Sequence, residues 1–85
     1  MLDEILEHID GYIREKCEIE DDDPDYDWDA HLFDLGYLDS LEATLLLFHL
    51  EETYGITISQ KDLVMFPMNT VREIARVVAD KRQGN

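Results

Sequence analysis

The 85 residues leave room for one domain around one hydrophobic core, and little surface for an elaborate catalytic cleft, so a multidomain enzyme is excluded. Hydrophobic residues make up 45%, enough to build a core, yet Asp and Glu outnumber Lys and Arg by 21 to 7 and the formal charge is -14. A field of that sign repels phosphate backbones and anionic lipid heads, so nucleic acid and membranes are poor partners and a basic protein is the better one. A single cysteine, Cys17, cannot form an internal disulfide, and the cytoplasm is the expected compartment. The start Met1-Leu2-Asp3-Glu4 lacks the basic, then apolar, pattern of a secretion signal, and the apolar run Leu45 to Phe48 is far too short to span a bilayer.

Leu2, Ile5, Leu6, Ile9 and Ile13 recur at three- and four-residue steps, which predicts an amphipathic helix from Leu2 to about Cys17. From Glu18 to Asp29 the chain carries eight acids, no base and Pro24, a composition that predicts a loop held extended by its own charge. Leu32, Phe33 and Leu35, followed by Gly36, are expected to pin the end of this long connection to the core. Asp39 precedes Glu42 by three residues, the spacing of a reciprocal capping box, so a second helix starts at Asp39 or Ser40 and runs to about Tyr54, where Gly55 supplies a left-handed stop. Ser59 to Asp62 can cap a short helix that Pro67 ends. Thr70 and Glu73 form another capping pair, ahead of a last helix with Val71, Ile74, Ala75, Val77 and Val78 inward, ending near Lys81; the tail Gln83-Gly84-Asn85 should fray. No strand or repeat is convincing, and one domain over 1–85, a small helical bundle, follows.

The second helix has two apolar sides. Ala43, Leu46, Leu47, Leu50 and Tyr54 make a wide stripe suited to the core, while Leu41, Leu45 and Phe48 make a narrow second stripe flanked by Glu42, Thr44, Glu51 and Glu52. Either the long loop folds over that second stripe or a partner binds there. Ser40 stands just after the N-cap. A nucleophilic serine needs a base; His49 lies about 13 Å along the helix on the opposite side, and although His31 could approach from the loop, no oxyanion-hole or glycine-elbow pattern surrounds Ser40. Ser40 therefore reads as a residue to be modified rather than a catalytic one.

The run Leu32-Phe33-Asp34-Leu35-Gly36-Tyr37-Leu38-Asp39-Ser40-Leu41 resembles the attachment motif of acyl carrier and peptidyl carrier proteins, in which an Asp-Ser-Leu-like triplet opens the second helix of a four-helix bundle. The resemblance extends over nearly the whole chain. It implies an all-α bundle with a long first loop and a short third helix, and a non-catalytic carrier that a phosphopantetheinyl transferase modifies with 4'-phosphopantetheine from coenzyme A. Ser40 would bear the arm, Asp39 would be the motif's acid and N-cap, and the thiol would hold an acyl or aminoacyl group as a thioester. Leu41, Glu42, Leu45, Phe48, Glu51 and Glu52 would form the face shown to activating ligases, synthases and transferases with basic docking patches. The chain is expected to act as a monomer. Two residues, Tyr37 and Leu38, separate the glycine from Asp-Ser, a spacing more similar to D-alanyl and other free-standing aminoacyl carriers than to fatty-acid carriers. The rival class is an unmodified interaction module using the Leu41/Leu45/Phe48 face; a small serine hydrolase is third.

Asp21 to Asp29 alternate like the start of an EF-hand, but the glycine and closing glutamate are missing, and His8, His31 and His49 lack ligand spacing with Cys17, so no metal is assigned. Cys17 reads as a packed small hydrophobe. Trp28 either packs over the bundle or stays exposed, and Arg72, Arg76, Lys81 and Arg82 make the last helix the one basic region.

Overall fold

Four helices form where the periodicity and caps place them in the computed structural model, which describes residues 2–83: α1 Leu2–Lys16, α2 Ser40–Tyr54, α3 Gln60–Met65 and α4 Val71–Arg82. There is no strand among the described residues, and the expected fraying of Gly84 and Asn85 falls outside them. Ile5, Leu6, Ile9 and Ile13 of α1 are buried against Val71, Ile74, Ala75 and Val78 of α4, with Leu46 and Leu50 of α2 closing the core. Leu2, at the open end of α1, stays partly exposed and is not part of this face.

The caps do the work that sequence spacing assigns them, with two differences. Asp39 adopts extended backbone and its carboxylate accepts from Glu42 N at 2.8 Å, while Gly55, at φ 65°, ends α2 in the left-handed region. The return bond from Glu42 to the Asp39 backbone is absent among the described residues. Thr70 likewise accepts from Glu73 N, but the Glu73 carboxylate takes the N–H of Asn69 rather than that of Thr70. Among the described residues only α3 has a complete capping box, between Ser59 and Asp62.

Helix α3 packs backbone to backbone on none of the other helices. It is tethered by an ion pair, Asp62 Oδ2 to Lys81 Nζ on α4 at 2.8 Å. That lysine, together with the Ser59 backbone N–H, holds the Asp62 carboxyl down at about 2 against the opposing effect of burial. A depressed carboxyl stabilises the fold above its unfolded pKa and loses that contribution as pH falls through the depressed value, so the tether survives moderate acid.

The acidic connection between α1 and α2 is not extended. The radius of gyration, 12.2 Å, matches the value of about 12 Å for a compact chain of this length. Ile19, Tyr26 and Ala30 are buried, and Trp28 packs against the core. Apolar burial and a few bonds to distant groups outweigh the repulsion among acids that are mostly in solvent, where like charges are screened. Asp10 is the principal anchor: Tyr26 Oη donates to its Oδ1 at 2.6 Å, Trp28 Nε1 at 3.3 Å, and Arg14 Nε lies 3.0 Å from Oδ2. Arg14 also sits over the Tyr26 ring, 4.6 Å from its centroid. Burial first, then the Asp10 carboxylate, push the Tyr26 phenol well above its usual range. Further along, Asp29 pairs with Arg72 Nε of α4 at 2.7 Å, and Arg72 N donates to Trp28 O. At the start of the loop, Glu18 takes a left-handed φ of 54° while Ile19 N reaches back to Arg14 O, a helix stop usually given to glycine.

The end of the connection is fixed differently from the expectation. Leu32 and Leu38 are the buried anchors, whereas Phe33 and Leu35 are 39% and 47% exposed. The reason is a tight turn: Tyr37 N and Leu38 N both donate to Leu32 O, with Gly36 at φ 80°, so residues 33–35 lie on its outer side. Leu32 N donates to Asn69 O, tying the turn to the start of α4.

Truncating Asp10 to alanine leaves a buried phenol, an indole N–H and a guanidinium without their shared acceptor. Asp10→Ala is expected to cost about 1–3 kcal/mol in a chemical-denaturation midpoint experiment, with the Tyr26 and Trp28 near-ultraviolet signals weakened in the native state.

Candidate functional site

Leu38 is buried, Asp39 caps, and Ser40 is the first residue of α2, so the serine is positioned by an anchor two residues before it and by the helix it opens. Ser40 is exposed, its carbonyl accepting from Thr44 Oγ1 at 2.9 Å. Its hydroxyl makes no hydrogen bond among the described residues. The two histidines considered as bases are engaged elsewhere: His31 Nδ1 accepts from Asp34 N at 3.1 Å, and His49 Nε2 is 2.8 Å from His8 Nε2. Neither histidine is hydrogen-bonded to Ser40, whose side chain is exposed.

Around it the field is negative. Asp39 and Glu42 lie within the first turn, and their effect reaches Cys17 at the end of α1, whose thiol is pushed up first by burial and then by Glu42 and Asp39. Cys17 is half-buried against the core, a packed residue rather than a reactive thiol.

The second stripe of α2 is open. Leu41 is 67%, Leu45 44% and Phe48 61% exposed, so the loop does not fold over it, and that alternative is removed. On one side the stripe borders a shallow groove lined by Tyr12, Lys16, Glu42, Leu45, Phe48, His49 and Glu52. Glu52 is exposed, Glu42 is half-buried, and Glu51 has one oxygen accepting from Ile58 N at 2.8 Å, which ties the chain after α2 back to the helix. Of the core stripe, Leu46 and Leu50 are fully buried, whereas Ala43, Leu47 and Tyr54 are half-buried.

The half-exposure of Ala43 and Leu47 has a cause. Phe33, Leu38, Ala43, Leu46, Leu47, Leu63, Met68 and Ile74 line an apolar cleft of about 80 Å³ between α2, α3 and the turn. Beyond it Leu63, Val64, Met65 and Phe66 continue the exposed apolar surface. Sequence reasoning did not assign these residues a role, although three consecutive apolar residues at the end of a six-residue helix, with Phe66 as its C-cap, cannot all face inward.

Among the described residues no group of three or more His, Cys, Asp or Glu side chains could hold a metal ion. In the acidic loop Asp23 and Asp27 use their carboxylates on the backbone N–H groups of Asp25 and Asp29. No helix is long and apolar enough to cross a membrane.

An exposed serine opens the second helix of this small four-helix bundle, and comparison with known proteins gives the bundle its family. The family described as phosphopantetheine attachment site matches residues 7–78, and the chain belongs to it. Such a domain carries covalently attached 4'-phosphopantetheine, and the unmodified-module alternative gives way to it. The chain is also 34% identical, over 59 residues that cover 69% of it and 75% of the relative, to the D-alanyl carrier protein of Lactococcus lactis subsp. lactis (strain IL1403). No solved structure matches it significantly. The residues fit the group: an exposed hydroxyl, free of intramolecular bonds, is what a phosphodiester linkage requires, and solvent around it leaves a flexible arm unobstructed.

Asp39 holds the helix end by its side chain. Asp39→Ala is expected to lower the thermal midpoint by about 4–8 °C, corresponding to about 1 kcal/mol of lost capping, while Asp39→Asn, an equally good cap, stays near wild type. Differential scanning calorimetry of the three chains checks this.

Proposed function

We propose that Ser40 is the attachment residue and that the chain is a free-standing carrier of an aminoacyl group, a cytoplasmic protein that presents its cargo to partner enzymes through the Leu41/Leu45/Phe48 face. The observation that carries the reading is the placement of Ser40: an exposed residue at the head of a capped helix, within the matched region, whose hydroxyl is hydrogen-bonded to no base among the described residues. When bound, 4'-phosphopantetheine supplies a flexible arm whose thiol holds the cargo as a thioester. The chain's own residues hold and display it. Asp39 fixes the helix end, Leu38 and Leu32 fix the turn before it, and the phosphodiester at a helix N-terminus gains about 0.3–1 kcal/mol from the backbone dipoles. Glu42 and Asp39 oppose that gain, and the covalent link makes the balance unimportant for retention.

An aminoacyl cargo is favoured over a long acyl chain by two observations. The relative is a D-alanyl carrier, and the spacing Gly36-Tyr37-Leu38-Asp39-Ser40 resembles that of aminoacyl carriers.

Partner recognition divides between shape and charge. Leu41, Leu45 and Phe48 offer exposed apolar anchors, and Glu42, Glu52 and the second oxygen of Glu51 offer acids to a basic patch. Together with the net charge they favour a fast, salt-sensitive encounter and ready release. The partners are a phosphopantetheinyl transferase, an activating ligase and the enzyme that receives the cargo.

Two experiments test the proposal. With a phosphopantetheinyl transferase and coenzyme A, intact mass spectrometry should show one arm added to wild type and none to Ser40→Ala; an arm on the variant would overturn the assignment of the site. Phe48→Ala should slow cargo transfer by a partner about tenfold, equivalent to about 1.4 kcal/mol, while the thermal midpoint moves by less than about 3 °C, since an exposed side chain contributes under ~0.5 kcal/mol to folding. A large loss of helicity would place Phe48 in the core instead.

A further inference from the structure

Away from Ser40, His8 of α1 and His49 of α2 meet with their Nε2 atoms 2.8 Å apart. Their ring planes lie within 3° of parallel and the centroids are 5.0 Å apart, nearly the largest separation such a nitrogen contact allows, so the rings meet edge to edge in one plane. Tyr12 stacks on His49 at 4.5 Å, and the Tyr54 ring lies nearly perpendicular to that of His8 at 5.6 Å. At this seam the two helices meet through side chains alone, since no Cα of α1 lies within 8 Å of one in α2.

The proton count of that contact is restrictive. A neutral pair holds one proton between the facing nitrogens, one ring donating and the other accepting. Adding one proton to the pair protonates an outer Nδ1 and leaves the inner hydrogen bond intact. Adding a second puts an N–H on both facing nitrogens, and the contact becomes donor against donor between two cations. We propose that the His8–His49 pair is an acid-released clamp, which holds α1 to α2 while it carries at most one added proton and opens that seam when it takes a second.

The surroundings decide where that happens. From α1, Lys16 opposes protonation of His49, and Tyr12 covers one face of the ring; from α2, Glu52 favours protonation and Thr53 Oγ1 lies 3.5 Å from His49 Nε2. From α4, Arg82 reaches the clamp only through the ring of Tyr54, over which it sits at 5.2 Å from the centroid, and Glu4 of α1 faces that same tyrosine. Burial first, then His8, hold His49 below the usual imidazole range. With the folded value depressed, the unfolded chain binds more protons between that value and about 6.5, so the clamp is at full strength above the unfolded pKa and weakens as pH falls through the window. His49 also lines the groove with Leu45 and Phe48, so release alters the wall of that groove. The clamp itself stands whether or not Ser40 is the attachment residue.

Nuclear magnetic resonance titration of the two histidine side chains in the wild-type chain, with a chelator present to exclude metal binding by the imidazoles, tests the proposal. The expected result is two coupled steps separated by more than one pH unit, the second accompanied by shifts of amides along α1 and α2. In parallel, thermal midpoints of wild type, His8→Gln and His49→Gln are compared at pH 7.5 and pH 5. All three share the same carboxylates, so the wild type's advantage at pH 7.5 should vanish or reverse at pH 5. Two independent single-step titrations near the ordinary value, with a wild-type advantage that does not change with pH, would overturn it. Should one variant fail to fold, the other variant and the wild-type titration give the decision.

Discussion

Asp10 solves the problem that composition sets. A strongly acidic connection has to close against a small core, and the carboxylate in the middle of α1 is where it does so, accepting from Tyr26 and Trp28 while held by Arg14. One half-buried acid thereby draws two aromatic side chains down from a segment of like charges, and Asp29 repeats the device in reverse by pairing with Arg72. With the loop folded to one side, the turn at Leu32–Leu38 can dock on Asn69, and that turn delivers Asp39 and Ser40 to the head of α2. Site geometry therefore depends on contacts far from the site.

The acids divide into structural and displayed groups. Asp10, Asp62, Glu51, Glu73 and Asp39 are committed to hydrogen bonds or ion pairs of the fold. Glu42 and Glu52 remain beside an open apolar stripe, with Ser40 at its head. Because the two apolar sides of α2 face different surroundings, one core and one solvent, the same helix both closes the bundle and leaves an apolar stripe exposed. Leu63, Val64 and Met65 of α3, with Phe66 just after it, enlarge that exposed surface.

What could be read in advance was what local chemistry dictates. Asp39 and Gly55 bracket α2 because a cap and a left-handed glycine act within one turn, and the stripes of α1 and α4 show in their spacing. The second apolar stripe of α2 was legible too, though not that the loop would leave it open, since its cover depends on the path of that loop. The path of the acidic loop was not, because its fate rests on Asp10, whose partners are 16 and 18 residues away in sequence; dense charge suggested extension, and Tyr26, Trp28 and Ile19 reversed it. Leu38 rather than Phe33 and Leu35 anchors the turn for a related reason, since the bonds to Leu32 O set which side chains face inward. The His8–His49 contact, 41 residues apart, leaves no local signature at all.

The central claim is that this bundle exists to hold a small activated group on an arm at Ser40. The most direct measurement is tandem mass spectrometry of the peptide containing Ser40, taken from the chain isolated from its native cell under conditions that preserve thioesters. The account predicts 4'-phosphopantetheine on Ser40, with an aminoacyl group on part of the population. A long-chain acyl group would contradict the proposed cargo, and an unmodified Ser40 with the arm on another residue would contradict the site.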